Sequence, residues 1–312
     1  MLSRRTILKQ AVAAAACSSF LDLASVVHAA ESAGVPIATQ QYPWGTFYGR
    51  SGKDARDLSA MLAEVKLCGL FAFEPIATSP EHIQAVATQA KAIGLEVPSI
   101  YVNSSLYEAD EAKRSIDSVL AIAAAAKEAC GTRIVVTNPS PLAWGGKDDK
   151  SDLQLRTQAS ALDTLGAALS ENGQQLAYHN HDAELRSGAR ELHHMLASTN
   201  PNHEKFCLDA HWIFRGCGDS EVAVFDVARL YASRVIELHL RQSHGGVWSE
   251  SFAAGDIDYS KLAELLAGLE SPPLLVLEQA VEGKSPQTMS AAEAHTLGRR
   301  YAQQTFSQWA SS

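Results

Sequence analysis

Eight short apolar runs, each separated from the next by a stretch of helical periodicity, constrain this chain more than any other feature. They fall at 37–42, 70–73, 96–101, 133–137, 175–180, 206–209, 235–239 and 274–278. Runs of this length, rich in Val, Ile and Leu, are the pattern of parallel strands buried on both faces. Helices fit between them at about 54–66, 80–93, 109–130 and 152–171, and from about Arg190, Glu221, Tyr259 and Ser290. Ser79-Pro80-Glu81 places a hydroxyl at the N-cap and Pro at the first helical position, and Gly94 closes that helix. Strand and helix in alternation predict a parallel sheet with right-handed crossovers. Eight such units predict a closed (β/α)8 TIM barrel. An open doubly wound sheet is the alternative, but no GxGxxG follows the first strand, so a dinucleotide site has no support.

In a closed barrel the C-terminal strand tips converge on one mouth, so residues far apart in sequence meet there. The last four runs end in Tyr178-His179-Asn180-His181, Leu208-Asp209, Leu238-His239 and Leu277-Glu278. One His or Asp at a strand end is ordinarily a cap or a loop residue. Four in consecutive units favour a divalent-metal site, because imidazoles and carboxylates together suit Mn, Zn, Co or Fe. The loop at 141–150, rich in Gly, Asp and Lys, lies where a barrel shapes its pocket. Trp144 and Trp248 sit on mouth loops, placed either to stack on a bound ligand or to pack the loops themselves.

The amino terminus reads Ser3-Arg4-Arg5-Thr6-Ile7-Leu8-Lys9, then an Ala-rich apolar stretch, then Val27-His28-Ala29-Ala30. This resembles a twin-arginine export signal with a small-residue cleavage site. Residues 1–29 are therefore expected to be the signal and 30–312 the barrel, in a periplasmic or secreted protein. Cys17 lacks the bulky aliphatic neighbour of a lipobox, which argues against lipidation. No later run has the roughly twenty apolar residues that span a bilayer, so no stable membrane insertion is expected after cleavage. Three basic residues and one acid leave with the signal, taking the net charge from −9 to about −11. An acidic chain without basic runs binds phosphate backbones poorly, so nucleic acid is an improbable partner. Four cysteines remain without CxxC spacing, and the sequence assigns no disulfide among them. A homo-oligomer stays open.

The segments Tyr178-His179-Asn180-His181-Asp182, Cys207-Leu208-Asp209, Leu238-His239-Leu240-Arg241, Gly255-Asp256-Ile257-Asp258-Tyr259 and Val276-Leu277-Glu278-Gln279 resemble the xylose isomerase-like TIM-barrel superfamily. That group includes sugar isomerases and epimerases, inosose dehydratase and AP endonucleases. The resemblance covers nearly the whole mature chain and is nearest the isomerase/epimerase branch with a YHNH signature. It implies a metal held from strands five to eight, commonly by Glu, Asp, His and Glu. Asp209, His239 and Glu278 match directly, while the strand-five position falls on His179 instead of Glu. His181 shares a face with His179; one is taken to bind metal and the other to reach substrate, with His179 assigned to the metal.

Epimerases of this kind use the strand-five and strand-eight glutamates to remove and return a proton on opposite faces of the substrate. Only Glu278 of that pair remains, so Glu74 at the end of strand two is the candidate second base, with His181 as a further catalytic group. His211, Glu184, Arg241 and Trp144 are assigned to substrate. Glu237 shares the strand face of His239, where a carboxylate is costly without a partner, so either it orients a ligand or the strand's face is assigned wrongly. The expected function is that of an exported, metal-dependent isomerase or epimerase, with Mn the first metal. Its carbohydrate substrate would be a non-phosphorylated keto-sugar or cyclitol, losing a proton next to a carbonyl. A lyase acting on inosose or 3-keto-glycosides is the alternative, and a non-catalytic sugar-binding protein the second.

Overall fold

The computed structural model describes residues 34–310, and the expected export segment lies outside the described residues. Eight parallel strands run as β1 (Ile37–Gln40), β2 (Ala72–Glu74), β3 (Ser99–Tyr101), β4 (Ile134–Thr137), β5 (Gln175–His179), β6 (Glu204–Asp209), β7 (Val235–Leu240) and β8 (Leu274–Leu277). Their order in the sheet is β2-β1-β8-β7-β6-β5-β4-β3. The seam between β2 and β3 is closed by a few backbone bonds rather than a continuous ladder. Phe73 N–H donates to Glu96 O at 2.9 Å and Tyr101 N–H to Pro75 O at 2.9 Å. The result is a TIM barrel with helices outside, as the alternation of the sequence predicts.

The helices begin and end where capping chemistry places them. Ser79 Oγ accepts from His82 N at 3.1 Å with Pro80 in the first turn. Capping boxes, Ser151 with Gln154 and Ser290 with Glu293, open the helices Asp152–Glu171 and Ala291–Thr305. Gly131, at φ 70°, terminates Ala109–Cys130. The large core lies between strands and helices. Two smaller apolar clusters, Tyr101 with Val136, Ala177 and Cys207, and Ala38 with Ala72 and Val276, are separate from it. They flank the polar side chains of the barrel interior.

Three elements depart from the sequence reading. β1 stops at Gln40, and Tyr42 belongs to a helix, Gln41–Ser51, that follows at once. The Gln40 side chain caps that helix, and burial of Trp44, Phe47 and Tyr48 outweighs the poor propensity of Pro43, Gly45 and Gly49. A short helix, Ala210–Gly216, springs directly from the end of β6, and a hairpin of Ser243–His244 with Val247–Trp248 follows β7. Cys68, Cys130, Cys207 and Cys217 are all free. Among the described residues no helix is long and apolar enough to cross a membrane.

Candidate metal centre and active site

Register brings the candidate ligand residues level. Asp209 on β6 pairs with His239 on β7, and His239 pairs with Val276, two residues before Glu278. Asp209 caps the helix Ala210–Gly216: its Oδ1 accepts from Trp212 N at 2.8 Å, which fixes the rotamer and leaves Oδ2 without a hydrogen-bond partner. Asn180 ties the neighbouring strand ends together, with Nδ2 donating to Asp209 O and Oδ1 accepting from Asp209 N, both at 3.1 Å. Asn138 Nδ2 donates to His179 O at 2.9 Å. The second and third residues of the YHNH segment therefore have distinct duties, one presenting its ring and the other holding the backbone.

The four side chains converge. His179 Nε2 is 3.8 Å from Asp209 Oδ2 and 3.9 Å from Glu278 Oε2, and His239 Nδ1 is 3.3 Å from Glu278 Oε2. One ligand atom from each of His179, Asp209, His239 and Glu278 falls within 4.8 Å of the others. All four residues are buried, and both nitrogens of His179, Asp209 Oδ2, His239 Nδ1 and Glu278 Oε2 lack hydrogen-bond partners. Buried ionised groups cost several kcal/mol each unless paired. A divalent cation fits this set, because it would satisfy the orphaned atoms together.

Arg241 is fully buried, with its guanidinium 4.9 Å from the Trp212 ring and 4.5 Å from that of Trp248. Its Nη2 lies 2.7 Å from Glu278 Oε2 and its Nε donates to Glu278 O at 3.0 Å. Burial pushes Glu278 upward, but Arg241 and then His239 outweigh it and hold the carboxyl well below its usual range. Burial, and then the charge of His179, push His181 well below the ordinary imidazole value, so it stands as a neutral base.

A cavity of about 430 Å³ opens over this cluster and is lined by Tyr101, Trp144, His181, Trp212, Arg241 and Glu278, among others. His181 meets Trp144 edge-on at 5.1 Å and Trp212 at 5.3 Å. Tyr101 and Trp212 were not singled out in the sequence. The available signal for Trp212 was its place in the first turn after a ligand-bearing strand, and for Tyr101 its place at a strand tip.

Three expected roles are corrected. Glu74 does not line the cavity: it is fully buried, its Oε2 accepts from Ser99 Oγ at 2.7 Å and its Oε1 lies 3.2 Å from His239 Nε2. Glu184 is also buried, its oxygens taken by His181 N at 2.8 Å and Asn138 Nδ2 at 3.1 Å. It holds the His181 backbone and is absent from the cavity wall, and burial followed by the charge of Glu191 raises it to about 7. His211 is covered by packing against Phe214 and Trp248, and is absent from the cavity wall. Burial, and then Arg241, lower it to about 3. Glu184 and His211 lie past a strand tip, where side-chain direction no longer follows the alternation of the strand, whereas Glu74 is still within β2 and points into the barrel beneath the cavity.

The profile of a family described as xylose isomerase-like TIM barrel matches residues 62–298. No curated protein matches the sequence. Among solved structures, a sugar phosphate isomerase/epimerase from Parabacteroides distasonis superposes with TM-score 0.66 at 16% identity, over 86% of this chain and 94% of the other. The E. coli 3-keto-D-glucoside 4-epimerase gives 0.63 at 14% identity, over 86% and 98%. The IolI protein, solved with a bound zinc atom, gives 0.65 at 12% identity, over 88% and 99%. At these identities the likeness is one of fold.

Proposed function

The chain belongs to the xylose isomerase-like TIM-barrel family, and from that premise we propose that it is a metal-dependent sugar isomerase or epimerase. Its substrate is a non-phosphorylated keto-sugar or cyclitol that loses a proton from the carbon beside a carbonyl. The observation that carries this reading is the convergence of His179, Asp209, His239 and Glu278 directly beneath a cavity holding a neutral imidazole and a guanidinium. A divalent cation bound there supplies polarisation of the carbonyl and acidifies the neighbouring C–H. Mn is the first assignment for a mixed imidazole and carboxylate set, with Zn, Co and Fe also compatible.

The protein's own groups then divide the remaining work. His181 takes the proton at its pocket-facing edge. Arg241 offers donors to the oxygen that gains charge as the enediolate forms. Trp144 and Trp212 present aromatic faces suited to the C–H face of a sugar. Arg241 is the one Lys or Arg among the cavity-lining residues and is already paired to Glu278, and Asp182 adds a second acid to the wall. Such a wall suits hydroxyls better than a phosphate. The twin arginines of the amino terminus favour export to the periplasm or beyond, where phosphorylated sugars are scarce.

One observation favours a second reading, elimination by a lyase. With His179 in the strand-five place and Glu74 turned under His239, the bases that face the cavity from outside the ligand set are His181 and Asp182, adjacent residues at one strand end. Epimerisation calls for bases on opposite faces. Elimination can use a single imidazole that takes the α-proton and hands it to the departing β-oxygen, as on an inosose or a 3-keto-glycoside.

The test is to incubate the metal-loaded protein in deuterium oxide with ketoses, inososes and 3-keto-glycosides. Deuterium at a carbon beside the carbonyl, lost in Glu278→Gln, is the expected result. The products then separate isomerase, epimerase and lyase. No exchange with any member of the panel, at full metal loading, would replace the enzyme by a sugar-binding protein.

A further inference from the structure

Beneath the ligand cluster the barrel interior holds two acids that the proposed chemistry does not use. Glu237 and Glu74 are both fully buried, and both reach the same nitrogen of His239. Glu237 Oε1 is 3.0 Å and Glu74 Oε1 3.2 Å from Nε2. Ser99 Oγ holds the other oxygen of Glu74 at 2.7 Å, and Cys207 Sγ lies 3.8 Å from Glu237 Oε1. The opposite nitrogen, Nδ1, faces Glu278 Oε2 at 3.3 Å and has no hydrogen-bond partner. Branched aliphatic residues are the ordinary filling of such an interior layer and carry no desolvation cost. Two acids aimed at one nitrogen therefore call for a reason.

We propose that Glu237, backed by Glu74 and Ser99, is a positioning residue for His239, fixing the ring plane and keeping the proton on Nε2 so that Nδ1 is the atom offered to the cation. The inference rests on the reading of His239 as a metal ligand. Its logic is that of ligating imidazoles in general, whose remote N–H is held by a carboxylate that sets tautomer and orientation. Unusually, two acid side chains serve one ring here. They come from strands far apart in the sheet order, β7 and β2, so the interior of the barrel itself aims the ligand. The same geometry explains why Glu74, a strand-tip acid, is not available as a second base.

The experiment uses zinc ion as the probe, with affinity measured by competition against a chromophoric chelator. The full chain is expected to bind one zinc. Affinity should fall about ten-fold in Glu237→Gln and up to about a hundred-fold in Glu237→Leu, while the metal-free variants keep the parent's circular dichroism. Should Glu237→Leu not fold, Glu74→Gln is the second variant, with a smaller loss of affinity. Nitrogen-15 spectra of histidine-labelled protein, with His239 identified from His239→Gln, should show Nε2 protonated with and without zinc and Nδ1 shifted by zinc. Unchanged affinity in Glu237→Leu, or zinc on Nε2, would overturn the inference. So would a second zinc equivalent lost on changing Glu237, which would make the acids ligands themselves. A parent chain that binds no zinc yet keeps a hydrogen-bonded Nε2–H would fell the metal reading while leaving the clamp on His239 in place.

Discussion

The two ends of the barrel both bury acid, and they treat it differently. At the strand-start end Glu204 has weak partners, with Arg234 Nη1 4.0 Å from its Oε1 and the Thr199 side chain beside it. Arg234 spends its donors on the Thr199 hydroxyl at 3.0 Å, Glu204 O at 3.1 Å and Thr199 O at 2.6 Å. Burial, only partly offset by Arg234, pushes Glu204 up to about 8, so at neutral pH it carries a proton and little charge. At the mouth Glu278 is held ionised, and two imidazoles and a second carboxylate gather around it. A buried acid by itself is therefore no sign of a site. What marks one is convergence of unlike ligating groups whose free atoms point at one another.

The contrast is most easily broken by charge removal at each end. Asp209→Ala and Glu278→Gln should each lower kcat/KM on the order of a thousand-fold, whereas Glu204→Gln should leave it unchanged; equal losses at both ends would contradict the distinction. His181→Ala comes next, with kcat reduced about a hundred-fold and metal content retained. Because burial and His179 keep His181 well below the ordinary imidazole value, its base form persists as pH drops. The parent's kcat should stay flat through the normal histidine range and fall only at more acid pH, and a decline centred on the ordinary histidine value would remove His181 from the base role.

The smallest effect is on stability. The pKa of Glu204 in the folded chain, about 8, lies above its free value of 4.5, so the neutral acid stabilises the fold most fully below 4.5 and that contribution is lost as pH rises through about 8. Relative to the parent, Glu204→Gln should gain a few degrees in Tm at about pH 9 and progressively less toward about pH 5. A pH-independent difference would mean that packing, and not ionisation, governs the strand-start end.

How far the chain reveals this in advance depends on the range of the interactions. The helices Ala109–Cys130 and Asp152–Glu171 have the bounds that apolar periodicity indicates, since that signal is local. The convergence of the four strand-tip residues was legible because a parallel barrel makes tips neighbours whatever lies between them. The helix Gln41–Ser51 was not, because burial of Trp44 and Tyr48 against distant elements decides it. Nor were the directions of Glu74, Glu184 and His211, which depend on partners such as Ser99, Asn138 and Trp248 from other units. Glu237 lies between these cases: alternation puts it inside the barrel, but only the closed sheet brings Glu74 to the same imidazole.

The central claim is that the mouth balances its buried charge with a cation while the strand-start end does so with a proton, and metal stoichiometry tests it most directly. Metal-free parent, Asp209→Ala, Glu278→Gln and Glu204→Gln proteins would be titrated with Mn and Zn and their bound equivalents measured. The account predicts one equivalent per chain in the parent and in Glu204→Gln, and none retained in Asp209→Ala or Glu278→Gln. A parent that takes up no divalent metal, or an Asp209→Ala protein that keeps its full equivalent, would contradict it.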